Sequence, residues 1–162
     1  MPRSILAEEI KKRFPFDSPV EEAYLNLART HAQLTGPSDS LFKRHGISPA
    51  KYNILRILRG AVSVGDGCKA GLPSLEVAQR MITRLPDITR LVDGLEAAGL
   101  VLRTRCKQDR RIVYVGITRK GRDLLDRLDK PVLEMVAALL KHMSKQDLAD
   151  LSRLLVKARK AE

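Results

Sequence analysis

Tryptophan is absent from these 162 residues, and phenylalanine and tyrosine occur three times each. So few rings argue against a stacking platform for single-stranded nucleic acid, which sets aromatics under successive bases. Cysteine occurs twice, at Cys68 and Cys106, both in expected loop or hairpin sequence, and histidine three times, at His31, His45 and His142. Neither set has zinc-site spacing, which wants four clustered ligands, so no metal and no cofactor is expected. No apolar run approaches the roughly 20 residues that span a bilayer. Charge interrupts the N-terminal MPRSILAEEIKKRF too early for a signal peptide, and a cytoplasmic protein is expected. Paired carboxylates in a pocket and a nucleophile beside a base are missing too. GDGCKAG at 65–71 is glycine-rich but lacks the spacing of a phosphate-cradling loop. An enzyme is not expected.

What the chain does have is positive charge. Lysine and arginine number 30 against 19 acidic residues, a formal net charge of +11. An excess this large points to a polyanionic partner: nucleic acid, anionic lipid or an acidic protein. Hydrophobic residues at 44% and charged residues at 30% suit a single soluble globular domain.

Serine followed by proline marks two helix starts. In SPVE at 18–21, Ser18 caps, Pro19 takes the first helical position and Glu21 completes a capping box. Gly36-Pro37 should break or kink this helix, which resumes at Ser38 and ends at His45-Gly46. SPAKYNILRILRG at 48–60 is a second helix, with Ile54, Leu55 and Leu58 on one face. Residues 60–71 form a glycine-rich loop. Ser74 is the expected cap of a helix over 75–81, and a break at Ile82-Thr83 separates it from a helix over about 84–98. That helix carries Leu85, Ile88, Leu91, Val92, Leu95 and Ala98 as an apolar stripe, with Pro86 in its first turn. LVLRTR (100–105) and RIVYVGI (111–117) read as a β-hairpin with its tip at 106–110. Beyond Thr118 a long helix with Pro131 inside it runs to about Met143. Ser144 to Asp147 is a capping box for the last helix.

Helix, break, helix, hairpin is the order of a winged helix-turn-helix. A major groove about 12 Å wide admits one helix, the preceding helix braces it, and a basic hairpin reaches neighbouring backbone or minor groove. On the second helix, Pro86, Thr89 and Arg90 face away from the stripe, and Arg84 and Asp87 border that face. Asp87 either faces a cytosine or complements the positive end of the helix dipole, the second being favoured. Ser74, Gln79 and Arg80 are candidate phosphate contacts. The wing residues are Arg105, Lys107, Asp109, Arg110 and Arg111, with Asp109 expected to hold and aim an arginine guanidinium.

DRRIVYVGIT (109–118) and ITRLVDGLEAAGLV (88–101), with the helix SPAKYNILRIL, resemble the wing and recognition helix of the MarR family of transcriptional regulators. The resemblance covers about residues 18–160. It implies a mainly α (α+β) fold: one domain over 1–162, a winged DNA-binding region over 48–118, and dimerisation helices over 18–46 and 119–160. It also implies a homodimer on a palindromic operator, with Arg111 aimed at the minor groove and Asp109 positioning it. Three features depart from the family pattern: the Gly36-Pro37 interruption, the length of the 60–71 loop, and a turn at Ile82-Thr83 without glycine.

Many members release DNA when a small aromatic or anionic effector binds. Tyr24, His31, Tyr52 and Arg56 are the candidates for such a pocket, against the plainer reading that they are packing or surface residues. Cys106, with basic neighbours, is the redox candidate, against the favoured reading that it is incidental. The reading is therefore a sequence-specific double-stranded DNA-binding regulator, with repression expected. The alternative is a winged-helix module binding an acidic protein.

Overall fold

The computed structural model describes residues 4–61, 71–83, 87–106, 109 and 111–160. Its elements run α1 (Ile5–Glu9), α2 (Pro19–Arg44), α3 (Pro49–Gly60), β1 (Leu72–Pro73), α4 (Ser74–Arg80), α5 (Ile88–Ala97), β2 (Val101–Arg105), β3 (Val113–Ile117), α6 (Arg119–Leu140) and α7 (Lys145–Arg159). The strands form an antiparallel sheet in the order β1-β3-β2. The hairpin register pairs Val101 with Ile117 and Arg105 with Val113. The two-residue β1, which pairs Leu72 with Val115, is too short to announce itself in sequence and was not expected. Most of the glycine-rich loop, including Cys68, lies outside the described residues.

The core gathers α3, α4, α5, the sheet and the first half of α6. Ile54, Leu55, Val77, Val92, Leu95, Val115, Leu125 and Leu128 are fully buried there. Each such side chain contributes roughly 1.5–3 kcal/mol relative to exposure. Of the expected α5 stripe, Val92 and Leu95 are in this core and Ile88 and Leu91 pack against it, Ala98 caps the helix and is exposed, and Leu85 lies outside the described residues.

Two helix starts differ in detail from expectation. Ser18 caps α2 through the Glu21 N–H, but the Glu21 carboxylate accepts from Asp17 N at 2.7 Å, so no capping box closes there. Ser74 is not a cap: Pro73 holds that position and Ser74 is the first helical residue, its hydroxyl 3.5 Å from the Val113 carbonyl. At Ser144 the capping box forms in full.

α2 runs unbroken through Gly36-Pro37. A proline clashes with the Cβ of the residue before it, and Gly36 has none. Leu41 and Phe42, a turn beyond, are buried, and their burial holds the segment in helical register. The pair expected to break or kink the helix does not break it.

α6 is seated by a close approach. A Cβ on Gly121 would lie 2.3 Å from the Leu100 carbonyl oxygen and 2.8 Å from Ile117 Cγ1. The Thr118 hydroxyl donates to the Gly99 carbonyl at 2.8 Å and accepts from Gly121 N at 3.1 Å. Farther along, Asp129 receives a two-pronged grip from Arg59 of α3 at 2.7 and 2.8 Å, and Arg59 also reaches Asp126 at 3.2 Å. Hydrogen bonding from Arg59 lowers the Asp129 pKa, and the bond to Asp129 raises that of Arg59.

Gly121→Ala is expected to destabilise the protein by about 1–3 kcal/mol, the cost of overpacking against backbone, read as a lower urea midpoint. The Asp129 pKa is depressed on folding, so its contribution is present above about pH 4 and disappears as pH falls through the folded value. Asp129→Asn should therefore be less stable than wild type near neutrality, and the gap should close on acidification. Asp147 and Asp150 are depressed as well, so the acid dependence should shrink without vanishing. A gap that stayed constant from pH 7 to pH 3 would refute the assignment.

Candidate nucleic-acid interface

The α4–turn–α5 unit presents one side of α5 to solvent. Val92 and Leu95 are buried, Ile88 and Leu91 are half-buried, and Thr89, Arg90 and Asp93 are exposed. α5 begins later than the apolar spacing suggested, at Ile88 rather than near 84. Asp87 sets that start: its Oδ1 accepts from Arg90 N at 2.9 Å, an N-cap bond that satisfies one of the helix's orphan donors. The carboxylate is thus engaged at the positive end of the helix. Arg84, Leu85 and Pro86 lie outside the described residues.

On α4, Val77 is buried and Gln79 and Arg80 are exposed. Arg80 pairs with Glu76 one turn earlier on the same helix. One contributor was not foreseen. Asn53 of α3 accepts from Ile82 N at 3.1 Å, so a side chain beneath the turn pins its backbone. An asparagine inside an amphipathic helix carries no such signal in sequence.

The wing is the β2–β3 hairpin. The Asp109 carboxylate accepts from Arg111 N at 2.9 Å, and Ile112 N donates to the Asp109 carbonyl at 3.0 Å. Aspartate therefore shapes the turn through backbone, as short polar side chains do; among the described residues no guanidinium bonds its carboxylate, and Arg110 lies outside them. Arg105 and Arg111 are exposed. Among the described residues no carboxylate pairs with the guanidinium of Arg90, Arg105 or Arg111. Lys107 and Arg110 lie outside the described residues. Cys106 is buried at 5% exposure, which removes the access that the redox reading required.

Arg103 behaves differently from its neighbours. Its Nη1 lies 2.9 Å from Glu96 Oε2 and 2.5 Å from Asp93 Oδ1, and Nη2 donates to the Thr89 carbonyl at 3.2 Å. Its backbone N–H donates to Glu96 Oε1 at 3.0 Å. Burial alone would lower the Arg103 pKa, but the bonds to Asp93 and Glu96 outweigh it and the net shift is upward. From the far side, Lys120 Nζ donates to the Ala98 carbonyl at 2.8 Å and closes the C-terminal end of α5.

The four residues expected to line an effector pocket do not come together as one. Tyr24 and His31 are exposed on α2. Tyr52 stacks on Phe42 with ring centroids 4.5 Å apart, and its hydroxyl accepts from Arg56 at 3.1 Å. Arg56 also lies 3.6 Å from Asp129. Tyr52 thus packs α3 against α2, and Arg56 adds to the α3–α6 brace. An open cleft of about 740 Å³ lies elsewhere, between the end of α2 and the middle of α6. Its walls include Pro37, Leu41, Pro131 and Met135, with Lys43, Arg44 and Glu134 beside them.

Comparison with known proteins matches residues 47–113 to the model of the MarR family. The chain is similar to a MarR transcription factor from Planctomyces limnophilus, with 38% identity and a TM-score of 0.66 over 86% of this chain and 97% of that one. It is 26% identical over 118 residues to the homoprotocatechuate degradative operon repressor of Escherichia coli, covering 71% of this chain and 72% of that protein. CouR from Rhodococcus jostii RHA1, solved bound to p-coumaroyl-CoA, shares the fold at 22% identity and a TM-score of 0.69, over 86% of this chain and 93% of that one. Among the described residues, no helix is long and apolar enough to cross a membrane.

Proposed function

The chain belongs to the MarR family, and from that premise we propose that it is a homodimeric repressor of a two-fold symmetric DNA operator. The observation that carries this reading is the set of exposed guanidinium groups on α5 and the wing. Arg90, Arg105 and Arg111 have no carboxylate partner among the described residues, whereas Arg59, Arg80 and Arg103 are held by the protein's own acids. In a chain of net charge +11, these unpaired groups are free for phosphate and for base edges. Arg111 at the wing suits a narrow minor groove, whose negative potential favours arginine. Arg90 and Thr89 suit the major groove. Gln79, exposed on α4, and the α4 start suit phosphate contacts.

The second copy is argued from surface that a monomer leaves bare. α7 buries none of its residues, and an isolated helix of this length is marginal in water. Val20 and Tyr24 on α2 and Leu133 on α6 are at least 70% exposed, and Leu154 on α7 is 52% exposed. Apolar surface of this extent calls for a partner. Two-fold pairing would set half-sites about 34 Å apart, one helical turn of DNA. Repression follows the Escherichia coli relative. Release by a small organic anion suits the α2–α6 cleft, where apolar walls sit beside Lys43 and Arg44.

Selection from random duplex DNA should enrich a two-fold symmetric sequence, and a pool without any enriched sequence would end this reading. On the selected site, Arg111→Ala should cost roughly ten-fold or more in affinity, with the dimer intact, as for loss of a groove-reading arginine. An equal loss on unrelated duplex would make Arg111 a phosphate anchor instead. Leu154→Lys should shift the protein toward monomer in sedimentation velocity. Unchanged association would place the interface elsewhere.

A further inference from the structure

Arg103 stands at the middle of β2, and its contacts run along α5 rather than toward solvent. It meets the Thr89 carbonyl, Asp93 and Glu96. The residues that supply these acceptors run from Thr89 to Glu96, about two turns of the helix, and their oxygens converge on one guanidinium: Asp93 and Glu96 on Nη1, the Thr89 carbonyl on Nη2. One contact would leave α5 free to swivel against the hairpin. Acceptors from three residues of the helix, held on both terminal guanidinium nitrogens and on the Arg103 backbone N–H, restrain α5 against the hairpin. A planar guanidinium with its donors in a fixed fork suits this task, and a lysine ammonium does not.

The neighbouring arginine makes the contrast. Side chains two apart on a strand share a face, so Arg105 projects on the same side as Arg103. Arg105 is exposed and has no carboxylate partner among the described residues, whereas Arg103 is turned in and engaged. Other ties on α5 act elsewhere. Thr118 and Lys120 bond the carbonyls of Gly99 and Ala98 at its C-terminal end. Val92 and Leu95 hold its inner face. Arg103 ties the exposed N-terminal half, at Thr89 beside Arg90, to the wing.

We infer that Arg103 is a positioning residue that sets the angle and spacing of the wing relative to the recognition helix, and thereby the sequence preference, without itself touching DNA. The inference rests on the DNA-binding function proposed above. A protein that reads one groove with a helix and the next with a hairpin can match only duplexes whose groove geometry fits the spacing between them. Electrostatic attraction to phosphate makes no such demand. Loosening the brace therefore affects discrimination, while attraction to DNA in general persists.

The test compares the selected site with a scrambled duplex across a salt series, using the full chain. Arg103→Lys keeps the charge and loses the fork. It should lower the preference for the selected site about ten-fold, the effect of one poorly read base pair, with scrambled binding and the salt slope unchanged. The double variant Asp93→Asn with Glu96→Gln removes two negative charges near the DNA face and leaves the arginine in place. It should bind scrambled duplex more tightly and yet discriminate less. Thermal melting and sedimentation accompany both.

Preference retained in both variants overturns the inference, as does a parallel loss on both duplexes that tracks unfolding. A double variant that gains equally on both duplexes shows that charge alone matters, and also overturns it. A wild-type protein without any preferred duplex would sink the operator reading and this inference together. A preference that survives Arg103→Lys would sink this inference alone.

Discussion

The fold turns on one crowded junction, where the end of α5, the hairpin exit and the first turn of α6 share a space too small for a side chain. Gly121 lets the α6 backbone come against the Leu100 carbonyl, and Thr118 uses one hydroxyl both to cap α6 and to bond the Gly99 carbonyl. Thr118 N also donates to the Leu100 carbonyl at 3.1 Å. Gly99, with φ +70°, turns the chain from helix to strand at the same place. Through this junction the recognition helix, the wing and the long α6 helix are mechanically one piece. A displacement of α6, which also carries the Arg59 grip on Asp129, would be passed to the end of α5 rather than absorbed by a loop.

A second constraint sorts the arginines. A guanidinium whose donors are taken up by carboxylates of its own chain is a strut, and one left unpaired is available to phosphate. The protein places both kinds within a few residues. Arg59 and Arg103 join elements, α3 to α6 and β2 to α5, while Arg90, Arg105 and Arg111 face outward. The short carboxylates divide in the same way. Asp87 and Asp109 bond backbone N–H groups and set where a helix begins and a turn closes. Asp93, Glu96 and Asp129 hold arginines. Charge in such a protein is therefore poorly described by its total: +11 is a property of the chain, and the part of it that DNA meets is what remains after internal pairing.

Much of the architecture was legible because it rests on local rules. Ser48-Pro49 and Ser144 with Asp147 start helices through contacts within four residues, and Val92, Leu95, Leu125 and Leu128 repeat at helical spacing, so their burial follows from the pattern. The misreadings came where a local signal met a distant partner. Gly36-Pro37 has the composition of a break, and burial of Leu41 and Phe42 overrode it. Tyr52 and Arg56, candidates for a ligand pocket, follow the plainer reading favoured for them, engaged by Phe42 and Asp129. Ser74 stood one residue too late to cap because Pro73 had been drawn into β1 beside Tyr114.

The amino-acid order by itself determined the succession of helix, turn, helix and hairpin, the positive charge around the wing, and the apolar faces left over for a partner. Those depend on spacing, capping and composition, which act between near neighbours. Only the tertiary structure decided which of the clustered arginines is a strut and which is free. That outcome depends on whether Asp93 and Glu96, ten and seven positions back along the chain, come within bonding distance of Arg103 once α5 packs against the sheet. Pairing of charges is a property of distance in space, and linear sequence does not record it.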